Sequence, residues 1–190
     1  MTLDTRHRTV PTPVRAIACS RGFLVAFLAL VTLVALPALP VGATTTFTDP
    51  QGRFSVLLPD GWQQDTAASS PGLIVQYLTM DPNGAFNVAA TAMPDGVTIA
   101  DVAQRVGARL QQDYSDYQQT NSGPASVAGE SGVELDYMAT SGEGALLAVS
   151  QVLVQHNGTL YFLTLAAKPE DIGAIQTAGA PILLSWQWLP

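Results

Sequence analysis

Cysteine is almost absent from this 190-residue chain: Cys19 is the only one, and it precedes the longest apolar run. Beyond residue 43 there is no thiol, so disulfide staples, thiol redox chemistry and thiolate zinc sites are excluded there. Stability in that part must come from a core and from strand pairing. A lipid-modified export signal does not fit either, because it needs a cysteine just after the apolar run. Histidine is as scarce, with His156 alone beyond residue 43. It adjoins Asn157-Gly158 in an expected hairpin tip, where water is hard to exclude and a rotamer hard to fix. A Ser-His-Asp relay needs a base held beside its nucleophile, and no G-x-S-x-G elbow occurs. One histidine cannot supply a zinc or copper site. The patterns G-x-x-x-x-G-K-[ST] and G-x-G-x-x-G are missing too, which leaves nucleotide chemistry without its usual footing. Basic residues are few and unevenly placed. Of eight, Arg6, Arg8, Arg15 and Arg21 lie in the first 21 residues, which leaves Arg53, Arg105, Arg109 and Lys168 against fourteen acids, a formal charge of −10 over residues 44–190. A domain so acidic is a poor ligand for nucleic acid or an anionic membrane surface.

What the chain does have begins with an export segment. The four arginines are followed by an unbroken apolar stretch from Gly22 to Leu36, then by Pro37 and Pro40, then by the small residues of Val41-Gly42-Ala43. That is the order of a signal peptide, with cleavage expected before Thr44. Retention as an anchor is the alternative, since the nineteen residues from Phe23 to Val41 approach the roughly 20 needed to span a bilayer. The two prolines favour cleavage. Either way the arginines hold the N-terminus in the cytoplasm and the remainder is translocated. Residues 44–190 have the length of one domain.

That domain opens on F-T-D-P-Q-G-R-F-S-V-L-L-P-D-G-W, Phe47 to Trp62. Asp49-Pro50-Gln51-Gly52 and Pro59-Asp60-Gly61 have turn chemistry, and between them Phe54, Val56 and Leu58 share one face of a strand. Leu73–Met80 and Ala85–Met93 then suit a hairpin around Asp81-Pro82-Asn83-Gly84. Thr98 with Asp101 makes a capping box for a helix whose stripe is Ile99, Val102, Ala103, Val106, Leu110 and Tyr114. After a polar linker, 118–123, three strands are expected: Ala125–Thr140 with a turn near Gly129, Gly144–Gln155, and Thr159–Ala167. Asn157-Gly158 suits a type I′ turn between the last two, since both positions tolerate positive φ. Val133, Leu135, Tyr137 and Ala139 mark the buried face of the first. Lys168-Pro169-Glu170-Asp171 reads as the first turn of a terminal helix, expected to kink or restart at Pro181.

The opening aromatic, the D-x-x-G turn, the F-S-V strand and the P-x-G-W element, together with the I-L-x-S-aromatic ending at Ile182 to Trp186, resemble PsbP-like and DcrB-like domains. The resemblance runs from about Phe47 to Trp188. It implies an α+β fold, an α/β/α sandwich on an antiparallel sheet, with which the element order β-β-β-β-α-β-β-β-α agrees.

Few side chains invite a site. Glu134 and Asp136 share a strand face and Glu143 follows the next turn, so a hard cation or a partner could meet them. A solvated strand face explains them as well, and calcium wants six to eight oxygens; no metal or other cofactor is assigned. Trp62 and Trp186 suit the core, whereas Trp188 is expected to be exposed and available for contact. Asn157-Gly158-Thr159 is formally a glycosylation sequon, though the turn explains the same residues. The expectation is a non-catalytic, exported cell-envelope domain that binds a protein partner. The alternative is a receptor for a small molecule, carbohydrate or lipid, with its pocket between the sheet and the terminal helix. Nucleic acid is not an expected partner, and a membrane enters only through an uncleaved leader.

Overall fold

In the computed structural model residues 45–80 and 83–190 are described. The expected export segment, residues 1–43, lies outside them, as do Asp81 and Pro82 of the expected hairpin turn. The chain begins with β1 (Thr45–Thr48), β2 (Phe54–Leu58) and β3 (Gln63–Gln64), then the hairpin of β4 (Leu73–Met80) and β5 (Asn83–Ala92). Helix α1 (Ile99–Asp113) leads to β6 (Gln118–Val127), β7 (Glu130–Thr140), β8 (Leu146–His156) and β9 (Thr159–Ala167), and α2 (Ile172–Leu184) to β10 (Gln187–Trp188).

Seven strands form one antiparallel sheet in the order β3-β4-β5-β9-β8-β7-β6, and β1-β2-β10 form a second, small sheet. Period-two burial explains the layering. On β7, Leu135, Tyr137 and Ala139 face α1 and join Val102, Ala103, Val106 and Leu110 in one core. On the other side of the sheet, Phe86, Val88, Leu163 and Leu165 pack with Ile175 and Ile182 of α2 and with Phe54, Val56 and Leu58 of the small sheet. The result is an α+β, α/β/α sandwich.

Local chemistry sets the boundaries. Gly52 N–H donates to Asp49 C=O at 2.7 Å, closing the first turn, with Gly52 at φ +68°. The Asp49 carboxylate accepts from Arg53 N–H, Nε and Nη2 at 3.2, 2.6 and 3.0 Å. At the start of α1, Thr98 Oγ1 accepts from Asp101 N–H at 3.2 Å and the Asp101 carboxylate accepts from Thr98 N–H at 3.1 Å, so the capping box is complete. Asn157 (φ +47°) and Gly158 (φ +73°) make the two-residue turn between β8 and β9, and Ala128 (φ +47°) with Gly129 (φ +87°) does the same between β6 and β7.

Three expectations need correction. Residues 118–123 are not a linker but the first half of β6, paired with β7 from Gln118↔Met138 onward. That strand lies at the sheet edge and is mostly exposed, so it carries no apolar alternation to betray it. Glu170 and Asp171 precede α2 rather than forming its first turn; Asp171 sits at the N-cap without a side-chain bond. The helix also runs through Pro181 to Leu184. Ile175, Gly179 and Ile182 are buried along its inner side, and packing on both sides of the proline outweighs the one helix hydrogen bond that it removes.

Candidate functional site

Glu134 and Asp136 lie on the face of β7 turned away from α1. Glu134 accepts from Ser150 Oγ at 3.0 Å, and Asp136 Oδ2 from Asn121 Nδ2 at 3.2 Å. Asp136 Oδ1 is buried without a partner. Glu143 is exposed in the loop between β7 and β8. Among the described residues no group of three or more His, Cys, Asp or Glu is placed to hold a metal ion.

Trp188 is half-buried rather than exposed. Its Nε1–H donates to Val127 C=O at 3.3 Å, and its ring stacks on His156 with centroids 4.4 Å apart and planes 10° from parallel. His156 is correspondingly no loose turn residue. Its Nδ1 lies 2.8 Å from Glu130 Oε1 and its Nε2 lies 3.0 Å from Asn157 Nδ2. These partners assign the Nδ1–H tautomer, donating to the carboxylate and accepting from the amide. No sequence spacing announces this cluster, because Trp188 arrives from the far end of the chain through its pairing with Phe54. Trp62 and Trp186 are core residues, as expected: Trp186 stacks on Phe54 at 4.2 Å, and Trp62 meets Phe86 edge-on.

A second feature escaped the sequence. Gln76, Asn87, Thr164 and Gln151 sit opposite one another across β4, β5, β9 and β8, and all four are buried. Gln151 Nε2 donates to Thr164 Oγ1 at 2.9 Å, and Gln76 Nε2 to Asp65 at 3.2 Å. Asn87 Oδ1 and Gln151 Oε1 have no partner. A sheet covered on both faces buries the polar positions of its strands as well as the apolar ones.

Room for an occupant lies beside α1. Between α1 and the β6–β7 edge runs a groove of about 490 Å³ with Ala103, Val133 and Leu135 on its floor and Gln104, Gln119 and Ser122 on its rim. A more polar cleft of about 520 Å³ adjoins Thr98, Glu130, Ser131, His156 and Asn157. The expected pocket beneath the terminal helix is filled instead. Ile175 and Ile182 are fully buried there, and α2 approaches the sheet so closely that a Cβ at Gly179 would stand 2.8 Å from Leu165 Cδ2.

Ionisation within the domain is structural in character. Burial raises the Asp49 pKa, but the hydrogen bonds and charge of Arg53 outweigh it, so the carboxylate is held below its ordinary range. Burial pushes the Tyr77 phenol up to about 12 and the Tyr137 phenol higher still, so neither is a base near neutrality.

A protein-family model described as DcrB matches residues 54–182. No curated protein matches the sequence significantly. Among solved structures, cyanobacterial PsbP from Synechocystis is 17% identical over 82% of this chain and 98% of that one, with a TM-score of 0.59. The Saccharomyces cerevisiae Ran-binding protein Mog1p is 10% identical over 76% and 95%, TM-score 0.56. LpqN of Mycobacterium tuberculosis, involved in cell envelope biogenesis, is 18% identical over 79% and 87%, TM-score 0.51. At such identities these likenesses bear on fold alone.

Proposed function

The chain belongs to the DcrB family, and from that membership we propose that it is a non-catalytic, exported cell-envelope domain that binds a protein partner in the groove between α1 and the β6–β7 edge. The groove itself carries this reading: an apolar floor with a polar rim whose one charged member is Asp101 is the form of a recognition surface. Supporting it, His156 has both ring nitrogens engaged, and no nucleophile among the described residues is hydrogen-bonded to it. Export rests on the leader of residues 1–43, and the envelope location follows from it. The acids Glu134, Asp136 and Glu143, and the rim of Trp188, are secondary candidates for partner contact.

Ala100 lines the groove and is exposed, so Ala100→Trp fills it without touching the core. Capture from an envelope fraction by the wild-type chain should yield a partner that the variant loses, with unchanged circular dichroism. Equal capture by both would remove the groove from consideration. The groove volume also falls within the roughly 300–1,000 Å³ of small-molecule sites. A dose-dependent rise in melting temperature with a glycan or lipid, abolished by the same substitution, would favour a receptor.

A further inference from the structure

The strands and helix of the domain's outer layer carry no charge. β1, β2, β10 and all thirteen residues of α2 contain no Asp, Glu, Lys or Arg, on a domain whose net charge is −10. The outward positions of α2 are Gly173, Ala174, Gln176, Thr177, Pro181 and Leu184, all exposed. A surface helix facing water ordinarily carries charges there. Leu184 is 87% exposed and Leu57, on the outer side of β2, is 44% exposed. The two belong to one patch, because Ser185 Oγ accepts from Leu57 N–H at 2.8 Å.

This patch adjoins the point where the described chain begins. Thr46 of β1 pairs with Leu57, and only Gly42, Ala43 and Thr44 separate Val41, the end of the apolar segment, from Thr45. Extended chain covers at most about 3.4 Å per residue, so the start of β1 stays within about 14 Å of the end of that segment. The interfacial layer between hydrocarbon and water is only about 6 Å deep. A leader kept in the bilayer therefore keeps β1, and the uncharged patch next to it, within reach of the lipid headgroups.

We propose that, in the form that retains its leader, the domain rests on a zwitterionic bilayer surface through Leu57, Leu184 and the uncharged outer face of α2. The inference rests on the anchor reading of residues 23–41 and adds a direct contact between the folded domain and lipid. Two leucines alone bind a membrane weakly; the short tether supplies the effective concentration that makes the contact persist. The charges desolvated on approach are few: Asp60, just past β2, Asp171 ahead of α2, and the Asp49–Arg53 pair, which neutralises itself. α1, with the groove, lies on the opposite side of the sheet and stays open to a partner.

The full-length chain with Cys19→Ser and a single new cysteine tests this in phosphatidylcholine nanodiscs loaded with one copy each. An environment-sensitive fluorophore at Leu184→Cys should shift to the blue and be quenched by spin-labelled lipid. The same label at Gln112→Cys, on the outward face of α1, should report water. If the chain enters the discs but both labels report water, the docking is wrong while the anchor stands. If the chain does not enter the discs, the anchor reading fails and the docking falls with it. A shift at position 184 seen only with two copies per disc assigns the patch to a second copy and overturns the lipid contact.

Discussion

Asp49 shows how much one side chain can organise. Its carboxylate is buried, faces three donors of Arg53, and sits where the chain turns from β1 into β2. Because its folded pKa lies below the unfolded one, its contribution to stability is complete above the ordinary carboxylate range and is lost as pH falls through the lower folded value. Arg53→Met removes the two guanidinium donors and the charge, leaving the backbone N–H and the burial, which acts in the opposite direction. The variant should lose about 2 kcal/mol at neutral pH, and its acid unfolding midpoint should move to higher pH, both readable by circular dichroism. An unchanged acid midpoint would mean that the pair contributes nothing. Thr98 offers a cleaner deletion. Thr98→Ala breaks the capping box of α1 and should cost about 1 kcal/mol in urea unfolding with an unchanged m-value. The turn at Asp49 and the cap at Thr98 were legible in the sequence, since each is built from residues three or four apart; the clasp of Arg53 on Asp49 was not read there.

Helix α2 and strand β6 show where local patterns stop being sufficient. Pro181 suggests a kink or restart, yet one helix continues through it because Ile175 and Ile182, on either side of it, are both driven into the sheet. Since Pro181 is itself exposed, Pro181→Ala should restore a helix hydrogen bond without emptying the core. We expect stabilisation by about 1–3 kcal/mol, somewhat reduced by the greater freedom that alanine gives the unfolded chain. No gain in chemical denaturation would show that Thr177 C=O is already satisfied otherwise. β6 is the reverse case, a strand formed by residues without strand propensity. Its ladder with β7 stabilises it, and as an edge it needs protection against stray pairing. Pro124 and the register shift between Gln119 and Asn121 provide that, as each removes the regular row of donors that another chain would read.

The charges and the apolar surfaces of the whole domain are segregated. Fourteen acids and four basic residues lie over residues 44–190, while the strands of the small sheet and α2 hold none of them. Self-repulsion follows from that imbalance, and salt screens it over about 8–10 Å at physiological ionic strength. The melting temperature should therefore rise between 10 mM and 150 mM sodium chloride, conditions that span Debye lengths of about 30 to 8 Å. A fall would indicate that the few ion pairs, such as Arg109–Asp113 at 2.7 Å, matter more than the net charge. Within the sequence, periodicity specified the β7 face that meets α1, turn chemistry the Asn157-Gly158 turn and composition the lack of thiols, because each depends on neighbours within a few residues or on composition; the sandwich class came from the resemblance to PsbP-like and DcrB-like domains, with which the element order agreed. The sequence could not show that His156 is clasped between Glu130 and Trp188, that a polar row is buried across four strands, that the space under α2 is filled, or that an open groove lies beside α1. Those depend on strands meeting across long stretches of chain, where registry and layer order, rather than the residues' own preferences, set which side chains touch.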